Sequence, residues 1–444
     1  MELLTKDFTA SIGFDYKLYR EEIEYSIAHA SLLVEHGYLT EEERVTIVDA
    51  LREIEKEIED GTLSFSNECF DIHGNIRAFL ISKTGNLGKK LGIARGINDQ
   101  VVTDSRLFLK KEIRIMNGTL TDLLDTLEKL AREHVNTIMP GYSHVQRAQP
   151  VTLAYHLLAY YQMFKRDRKR FDNCLEGMDF LPPDSGALAG NIYGTDRTSL
   201  VKDLGFSGML PNAMDAVSDR DFAMEFINCC AITMMHLSRF CEDLILWSTV
   251  EFSFIEIADD FTTGSRLMPQ KKNMDVAELI RGKSGRVYGD LISLLTIFKG
   301  LPMSYNRDMQ EDKVAVLDAA ETTVSCLSIF VEMIKTMKIN RGAMQRAAKY
   351  GYMNAPEIRE YLMEKGASRD EAMNIIGKLV IYAINNEKAI EDLWLDDLRK
   401  FSQMFDNDIY DRIAIRNVIE AKKSTGSTSF DSVEEQLEQI ARER

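Results

Sequence analysis

One segment of the sequence combines the side chains and the flexibility that a catalytic loop needs. It covers residues 261–273 and includes Gly264, Ser265, Pro269 and Lys271. The glycine and the small hydroxyl side chain permit movement, the proline prevents helix formation, and the lysine brings positive charge. A loop that closes over a ligand excludes water and so strengthens the electrostatic interactions of its polar groups. The same residues also suit a surface turn with solvated lysines, and residue types alone do not choose between the two.

A second irregular segment, residues 139–150, contributes a histidine that is a candidate acid or base. His144 lies between Pro140 and Pro150 among amide and hydroxyl side chains, so hydrogen-bond partners for its imidazole are available. An imidazole titrates near neutral pH and can therefore transfer protons there. A lone histidine of this kind is more often structural, so its position alone assigns it no role.

Long helices must position these segments. The sequence has only 8 prolines, and because the first is Pro140, roughly the first third of the chain lacks the residue that interrupts helices most firmly. Apolar residues recur at steps of three and four, which is typical of amphipathic helices. We predict an all-α fold in which long antiparallel helices form a bundle. The helical patterns cover residues 18–33, 42–58, 104–136, 151–180, 219–250, 276–300 and 310–338, and strand-like alternation is limited to residues 63–65 and 205–210.

The composition argues against several classes of function. The 54 Lys and Arg residues against 70 Asp and Glu residues give a formal net charge of −16. No local block of basic residues compensates, so we expect no nucleic-acid partner. The six cysteines include no CxxC pair, which argues against a zinc site and a disulfide framework. The sequence also lacks a glycine-rich phosphate loop and the HExxH and GxSxG motifs, so we expect neither a metal nor a nucleotide cofactor.

The N-terminal sequence and the longest apolar segments bear on location. Residues 1–17 lack the basic region followed by an apolar run that a secretory signal needs. No stretch approaches the roughly 18 uncharged apolar residues that a membrane span requires. The sequence therefore predicts a cytoplasmic protein with no membrane partner.

The loop of residues 264–273 reads GSRLMPQKKN and resembles the GSSxMPxKxN signature of the fumarase/aspartase superfamily. Members of this superfamily eliminate fumarate from a succinyl compound. Three further segments, residues 139–150, 215–222 and 305–313, resemble the argininosuccinate lyases in particular. Because these motifs occur in one order along the chain, a chance match is improbable.

The resemblance implies a three-domain fumarase/aspartase-like fold. Residues 1–103 would form an N-terminal helical domain and residues 351–444 a C-terminal helical domain. Between them, residues 104–350 would form the central long-helix bundle with the catalytic loop 261–276. The resemblance also implies a homotetramer in which three subunits contribute to each active site.

The resemblance assigns catalytic roles within the segments described first. Ser265 matches the general base, which removes a weakly acidic proton from the carbon next to a carboxylate, so its hydroxyl must be strongly activated. Lys271 and Asn273 match the residues that hold the reacting carboxylate, and the lysine contributes most when the closed loop excludes water. Glu278 matches the carboxylate that orients His144.

A second set of matching residues would bind the small succinyl-amine substrate. Ser143 stands where relatives usually have threonine, and it keeps the hydroxyl group. Asn98 is retained from another substrate-binding motif. The positions that match those holding the amino-acid end of argininosuccinate are Ser11, Asp15, Tyr305, Gln310 and Lys313.

Two positions of this set depart from the family pattern, which reads close to HTGRSRNDQV over residues 92–101. The serine is Gly96 and the second arginine is Ile97 in this sequence. The loss of a charged hydrogen bond should weaken carboxylate binding by roughly 1.5 to 3 kcal/mol. The second serine of the loop is Arg266, and we hypothesise that it binds a substrate carboxylate and so restores the lost charge. An Arg266→Ser variant with full activity on every succinyl substrate would refute this hypothesis.

We therefore predict a lyase that cleaves the C–N bond of argininosuccinate by β-elimination, giving fumarate and L-arginine for arginine biosynthesis. A paralogous lyase that releases fumarate from a different N-substituted aspartate is one alternative. A non-catalytic relative, comparable to the lens crystallins of this superfamily, is another. The presence of Ser265, Lys271, His144 and Glu278 counts against the second alternative.

Overall fold

The computed structural model describes residues 2–264, 267–268 and 270–443. Its chain forms two compact units, each assembled from three stretches of sequence. The three-domain division that the resemblance implies stays a prediction. Unit 1 consists of Met1–Thr119, Asp167–Met235 and Gly282–Cys326, and unit 2 of Leu120–Arg166, His236–Arg281 and Leu327–Arg444.

Six helices form the N-terminal part of unit 1. The helix that starts at Glu41 begins with a capping box, in which the Thr40 hydroxyl accepts from Glu43 N at 3.2 Å and the Glu43 carboxylate accepts from Thr40 N at 3.0 Å. The apolar faces of these helices enclose a core that includes Ile23 and Leu33. The helices are α1 (Glu2–Thr9), α2 (Ile12–Asp15), α3 (Tyr19–Glu35), α4 (Glu41–Glu59), α5 (Ile72–Thr84) and α6 (Asn86–Lys90).

Long helices dominate the middle of the chain. The rings of Phe171 and Phe226 pack α8 against α11 within unit 1, with centroids 6.0 Å apart. Within unit 2, the rings of Phe240 and Phe330 pack α11 against α13 at 5.2 Å. These contacts confirm the predicted all-α fold with packed long helices. The helices are α7 (Ile97–Glu133), α8 (Leu153–Met178), α9 (Thr198–Asp203), α10 (Ala213–Ser218), α11 (Asp221–Ser248), α12 (Asp275–Phe298) and α13 (Asp312–Lys335).

One stretch among the described residues, Arg307–Lys335, is long and apolar enough to cross a membrane by length and composition. However, 61% of its most apolar window is buried inside the protein. A core helix of a soluble protein passes the same test, because both must bury an apolar surface. This stretch is a buried core helix.

Short helices complete unit 2 around a separate apolar core. This core includes Ile358, Leu379 and Phe405, and the Tyr361 ring stacks on the Phe405 ring with centroids 6.1 Å apart. The helices are α14 (Arg341–Lys349), α15 (Ala355–Glu364), α16 (Arg369–Asn385), α17 (Leu395–Arg399), α18 (Ile409–Ile413), α19 (Ile415–Glu420) and α20 (Phe430–Arg442).

An antiparallel hairpin of β1 (Ile138–Ser143) and β2 (Gln146–Thr152) is an extended element that the sequence patterns did not predict. Pro140 pairs with Pro150 across the hairpin. Prolines usually argue against a strand because they cannot donate to the ladder. Here the two prolines face each other in a two-stranded ribbon. Because of them, these residues did not show the sequence pattern expected of a strand.

The remaining strands contain two residues each and pair over short distances. The strand expected within residues 205–210 is confirmed, since β4 lies there and pairs with β3. The strand expected at residues 63–65 is wrong, because these residues form an irregular connection. The strands are β3 (Phe180–Leu181), β4 (Gly208–Met209), β5 (Ile255–Glu256), β6 (Thr263–Gly264), β7 (Lys272–Asn273) and β8 (Lys338–Ile339).

Candidate active site

The first predicted substrate-binding residues lie at the start of unit 1. Ser11 precedes α2, which ends at Asp15, and both side chains are buried. The Ser11 hydroxyl donates to Asp15 Oδ2 at 2.6 Å, and the backbone N–H of Ile72 donates to Asp15 Oδ1 at 3.2 Å. Burial raises the pKa of Asp15, while the Ser11 hydrogen bond and the charge of His73 oppose the rise. The two residues form a pair whose geometry is fixed before any ligand arrives.

Gln310 lies in the segment before α13 and contacts the residues that precede Ser11. Its Nε2 donates to the Thr9 carbonyl oxygen at 3.3 Å, and Arg307 Nη2 donates to the same oxygen at 2.7 Å. Thr9 lies two residues before Ser11. The structure therefore brings two predicted segments, far apart in the sequence, to one side of unit 1.

Lys313 is buried at the start of α13. Its Nζ donates to Asp312 Oδ1 at 2.8 Å, and Arg220 Nε donates to the other oxygen of the same carboxylate at 2.5 Å. Burial opposes ionisation of Asp312, but the two cations prevail and lower its pKa. The charge of Lys313 also acts on Asp15. A predicted substrate-binding lysine is thus already engaged in an ion pair.

Asn98 and the segment around Tyr305 meet at a shared carbonyl oxygen. Asn98 Nδ2 donates to Ala187 O at 3.2 Å, and the Ser304 hydroxyl donates to the same oxygen at 3.5 Å. Tyr305, the next residue, is half-buried. All six predicted residues of unit 1 therefore lie on segments that contact one another.

A buried charged cluster lies beside this set, and sequence reasoning missed it. Glu22 of α3 accepts four hydrogen bonds through its carboxylate. The donors are His73 Nδ1 at 2.7 Å, Arg95 Nη2 at 3.2 Å, Gln100 Nε2 at 2.5 Å and Ser26 Oγ at 3.1 Å. Since a carboxylate offers about four acceptor sites, this one is saturated.

The cluster fixes the ionisation of its members. Burial opposes the charge of Glu22, but Arg95 and His73 lower its pKa to about 2. Burial likewise opposes protonation of His73, but Glu22 outweighs it and raises the pKa of His73. The pKa of Asp104, which lies 3.4 Å from His73 Nδ1, is raised well above its ordinary value by burial and by Glu22. The cluster thus holds an ionised Glu22 carboxylate against the Arg95 guanidinium, while the pKa values of His73 and Asp104 are both raised.

The ligand atoms of Glu22, His73 and Asp104 lie within 4.8 Å of one another, a spacing that a metal ion could use. The donor set does not favour a metal, because the carboxylate is saturated by hydrogen bonds and a guanidinium already lies against it. The arrangement is that of a charged network held by hydrogen bonds.

The hairpin of unit 2 presents Ser143 and His144 at its tip. A two-residue turn, His144 and Val145, joins the strands, and both residues have positive φ, at 53° and 58°. Type I′ turns require this conformation but strongly prefer glycine and asparagine, and a β-branched residue is strained there. Ser143, His144 and Val145 are all exposed. Strain of this kind occurs at functional sites, which favours a functional role for the tip.

The catalytic loop also belongs to unit 2. Ser265 and Arg266, with Pro269, lie outside the described residues, so their predicted roles stay predictions. Asn273 pairs with Thr263 in the short ribbon of β6 and β7. Lys271 is exposed just before β7, and Glu278 is exposed in the first turn of α12.

No hydrogen bond between described residues connects the hairpin tip to the catalytic loop. Among the residues that the structure covers, no hydrogen bond joins His144 to Glu278 or to Lys271. The pairing of His144 with Glu278 that the resemblance implies stays a prediction. Exposure of all three side chains leaves them free to meet groups from outside this chain.

The two departures from the family pattern have different structural settings. A Cβ atom on Gly96 would lie 2.8 Å from Asp99 Oδ2 and 3.0 Å from Gly186 O, so a serine does not fit there without a shift. Asp99 Oδ2 accepts from Ser185 N at 3.0 Å, which holds the loop of Gly186 in place. Ile97, in contrast, is 50% exposed at the start of α7. The glycine is thus a packing requirement here, and the isoleucine is not.

Comparison with known proteins decides the family. Residues 2–289 match the family described as Lyase, and residues 352–420 match the one described as Argininosuccinate lyase C-terminal. The chain is 50% identical to the argininosuccinate lyase of Carboxydothermus hydrogenoformans over 434 residues, which cover 98% of this chain and 95% of the relative. The chain belongs to the argininosuccinate lyase family. The argininosuccinate lyase of Caldanaerobacter subterraneus subsp. tengcongensis is likewise 50% identical, over 96% of this chain and 97% of the relative.

Solved structures of other enzymes share the fold of this chain. An EDDS lyase in complex with formate has a TM-score of 0.85 at 24% identity, covering 97% of this chain and 86% of that chain. The class II fumarase of Schistosoma mansoni has a TM-score of 0.75 at 16% identity, covering 91% and 90%. At these identities the likeness concerns the fold alone. The predicted fumarase/aspartase-like helical fold is confirmed.

Proposed function

We propose that the protein is a carbon–nitrogen lyase that cleaves argininosuccinate into fumarate and L-arginine, in the cytoplasm and for arginine biosynthesis. The observation that carries the proposal is identity of about half of all positions with curated argininosuccinate lyases along nearly the whole chain. The retained set of Ser11, Asp15, Gln310 and Lys313, which unit 1 assembles, supports an amino-acid-like substrate end.

The reaction requires removal of a proton before the amine leaves. Ser265 takes the proton from the carbon next to a carboxylate, and the electron pair passes into that carboxylate as an aci-carboxylate. The pair then forms the carbon–carbon double bond of fumarate, the C–N bond breaks, and the leaving nitrogen takes up a proton. Stabilising the doubly charged intermediate is the largest demand on the site. Lys271 and Asn273 meet it by binding the reacting carboxylate.

The remaining groups orient the substrate and the proton transfers. Glu278 orients His144, and the Ser143 hydroxyl group donates a hydrogen bond to the substrate. Asn98 also binds the substrate, and Tyr305 binds its amino-acid end. Arg266 contributes positive charge from the loop. No cofactor or metal takes part in these steps.

We also propose a homotetramer in which different chains supply the parts of one active site. The large side chains of Tyr288, Ile292 and Leu295 lie exposed along one face of α12, at 39%, 63% and 45%. An exposed apolar row on a long helix is typical of a subunit interface. Sedimentation at the working concentration tests this assembly, and a monomer would contradict it.

The absorbance of fumarate tests the function. Wild type with argininosuccinate should show release of fumarate, and the Ser265→Ala variant should not. A set of other N-substituted aspartates should react far more slowly. Efficient release of fumarate from one of these other aspartates would instead favour the paralogous lyase. The residues Gly96 and Ile97, which differ from the family pattern, support that alternative. No release from any of these substrates would favour a non-catalytic relative.

A further inference from the structure

A cavity of about 370 Å³ lies inside unit 1, between α3, α5, α6 and the start of α7. Its lining includes Arg77, Gly92, Arg95 and Ile97, together with His73. Ile97 is one of the two positions described above at which the chain departs from the family pattern, and Gly92 begins the same motif. The cavity therefore lies where the sequence predicts a change in substrate binding.

The cavity is open partly because Gly92 has no side chain. A Cβ atom there would meet only Lys89 O, at 3.5 Å, which is an ordinary van der Waals contact. A larger residue would fit and extend into the space. Gly74 and Gly88 line the same cavity but differ, because a Cβ atom on either would collide with a neighbouring oxygen atom.

The cavity offers hydrogen-bond donors that have no partner. Arg95 uses Nη1 on Ser26 at 2.9 Å and Nη2 on Glu22 at 3.2 Å, but its buried Nε has no acceptor among the described residues. His73 uses Nδ1 on Glu22, and its buried Nε2 also lacks a partner within the described part of the chain. Both side chains are more than nine-tenths buried, at 7% and 3% exposure. An acceptor ligand would satisfy them.

One guanidinium group of the lining is left to attract an anion. The lining holds Arg77 and Arg95 against the carboxylates of Glu22 and Asp71. Arg95 is paired with Glu22 at 3.2 Å. Arg77 is exposed, and it makes no hydrogen bond or ion pair with any residue that the structure describes. Its charge is therefore available to a ligand, unlike that of Lys313.

The cavity adjoins the residues that would bind the amine half of the substrate. His73 follows Ile72, whose N–H donates to Asp15, and the charge of His73 acts on Asp15. Phe70, which lines the cavity, also accepts a hydrogen bond from Ser11 N at 2.8 Å through its carbonyl oxygen, so the cavity wall contacts the Ser11 segment directly. Lys313 is less available to an anionic group of the amine half because Asp312 already holds it at 2.8 Å.

We infer that this cavity binds a carboxylate of the amine half of the substrate, and that Arg77 supplies positive charge there in addition to the charge proposed for Arg266. The inference rests on the proposed function only for the identity of the amine half, which is arginine. Arg77 is then a specificity-determining residue that the family motifs do not mark. The guanidinium of Arg77 binds the carboxylate from the solvent side, and the Nε–H of Arg95, which has no acceptor among the described residues, binds it from the buried side.

Titration calorimetry of the full-length protein with L-arginine and with agmatine, its analogue without the carboxylate, tests the inference without catalysis. Wild type should bind L-arginine at least about 10-fold more tightly than agmatine, as expected for a charged hydrogen bond. Arg77→Gln should remove most of this difference. Lys89→Gln is the matched control, because Lys89 is also exposed in this region but does not line the cavity.

The double variant Arg77→Gln/Ile97→Arg provides a rescue. Because Ile97 is exposed, an arginine fits there, and it should restore most of the lost preference for L-arginine. In the fumarate assay, Arg77→Gln should raise KM by about 10-fold and change kcat by less than about threefold, since binding and not chemistry is affected. Gly92→Leu should also raise KM by filling the cavity, whereas Gly92→Ala should not.

The outcomes separate this inference from the proposed function. If fumarate is released from argininosuccinate but Arg77→Gln behaves like Lys89→Gln, the inference is wrong and the function stands. If no fumarate is released but binding of L-arginine depends on Arg77, the function is wrong and the inference stands. If L-arginine binds no better than agmatine to wild type, the cavity does not bind this carboxylate.

Discussion

The two units carry different halves of the predicted site in opposite physical states. In unit 1, Ser11, Asp15 and Lys313 are buried and hydrogen-bonded to neighbours. In unit 2, His144 and Lys271 are exposed, and His144 lies in a strained turn. A buried half is held in shape without ligand, whereas an exposed half reaches a low-dielectric environment only when other surfaces cover it. If the proposed function holds, we expect unit 1 to recognise the substrate and unit 2 to supply groups that act once the proposed assembly covers them.

The largest predicted effect comes from an exposed residue of unit 2, and it should reduce catalysis without changing stability. Lys271→Met should lower kcat by about 100- to 1000-fold, because it removes charge that stabilises the developing aci-carboxylate. The free energy of unfolding should stay unchanged, since the side chain is exposed. Fumarate absorbance and urea denaturation measure the two quantities.

Lys272→Met is the matched control for this experiment. Lys272 is the adjacent lysine, and its Nζ pairs with Glu256 at 2.8 Å and with Asp259 at 2.7 Å. Its loss should leave kcat within about twofold, because exposed ion pairs contribute little. Equal losses of kcat in the two variants would contradict the role given to Lys271.

The next largest predicted effect comes from a buried residue of unit 1, and it should reduce stability. Glu22→Gln leaves Arg95 and His73 without their counter-charge inside unit 1, so the free energy of unfolding should fall by about 3 kcal/mol. Glu278→Gln in the exposed half should reduce activity without this loss. A Glu22→Gln protein as stable as wild type would end the contrast between the two units.

Acid titration sharpens the same contrast. The pKa of Glu22 is lowered from 4.5 to about 2 in the folded protein. A carboxylate of this kind contributes stability that is fully present above pH 4.5 and is lost as the pH falls towards 2. Glu22→Gln should therefore show a flatter decline of unfolding free energy in this window. Identical slopes for wild type and variant would contradict the assignment.

A smaller effect is expected where the chain departs from its family. Gly96→Ser restores the residue of the family pattern but should lower the free energy of unfolding by about 1 to 2 kcal/mol, because its Cβ approaches Asp99 and Gly186. Ile97→Arg is the control at the neighbouring exposed position and should be neutral. Thermal denaturation measures both, and a neutral Gly96→Ser would show that the Gly186 loop adapts.

The smallest effect should come from the hairpin tip. Val145→Asn should raise the free energy of unfolding by about 1 kcal/mol, because asparagine tolerates positive φ better than a β-branched residue. Val145 is 70% exposed, so little packing is lost. Val250→Asn, an exposed valine without positive φ, is the control and should be neutral or destabilising. A destabilised Val145→Asn variant would show that the turn is not strained.

The sequence predicted those parts of the structure that depend on local periodicity. Helices such as Asp221–Ser248 follow from apolar steps of three and four. The hairpin was missed because a proline argues against a strand when each segment is considered alone, and both strands contain one, Pro140 and Pro150.

The buried cluster could not be predicted, since it depends on contacts between distant residues. Glu22 and Arg95 are 73 positions apart, and each suits an exposed helix or turn equally well. The only signal was that Asp71, His73 and Arg95 fall between the predicted helical patterns of residues 42–58 and 104–136. Likewise, the reason for Gly96 lies in Gly186, which no local pattern connects to it.

Release of fumarate from argininosuccinate by this chain underlies every role proposed for its residues, and the rise of fumarate absorbance on mixing enzyme and substrate measures it. We expect steady release by wild type, none by Ser265→Ala, and L-arginine formed in equal amount. Absence of release by a correctly folded wild-type protein, or faster release from another N-substituted aspartate, would contradict the proposed function.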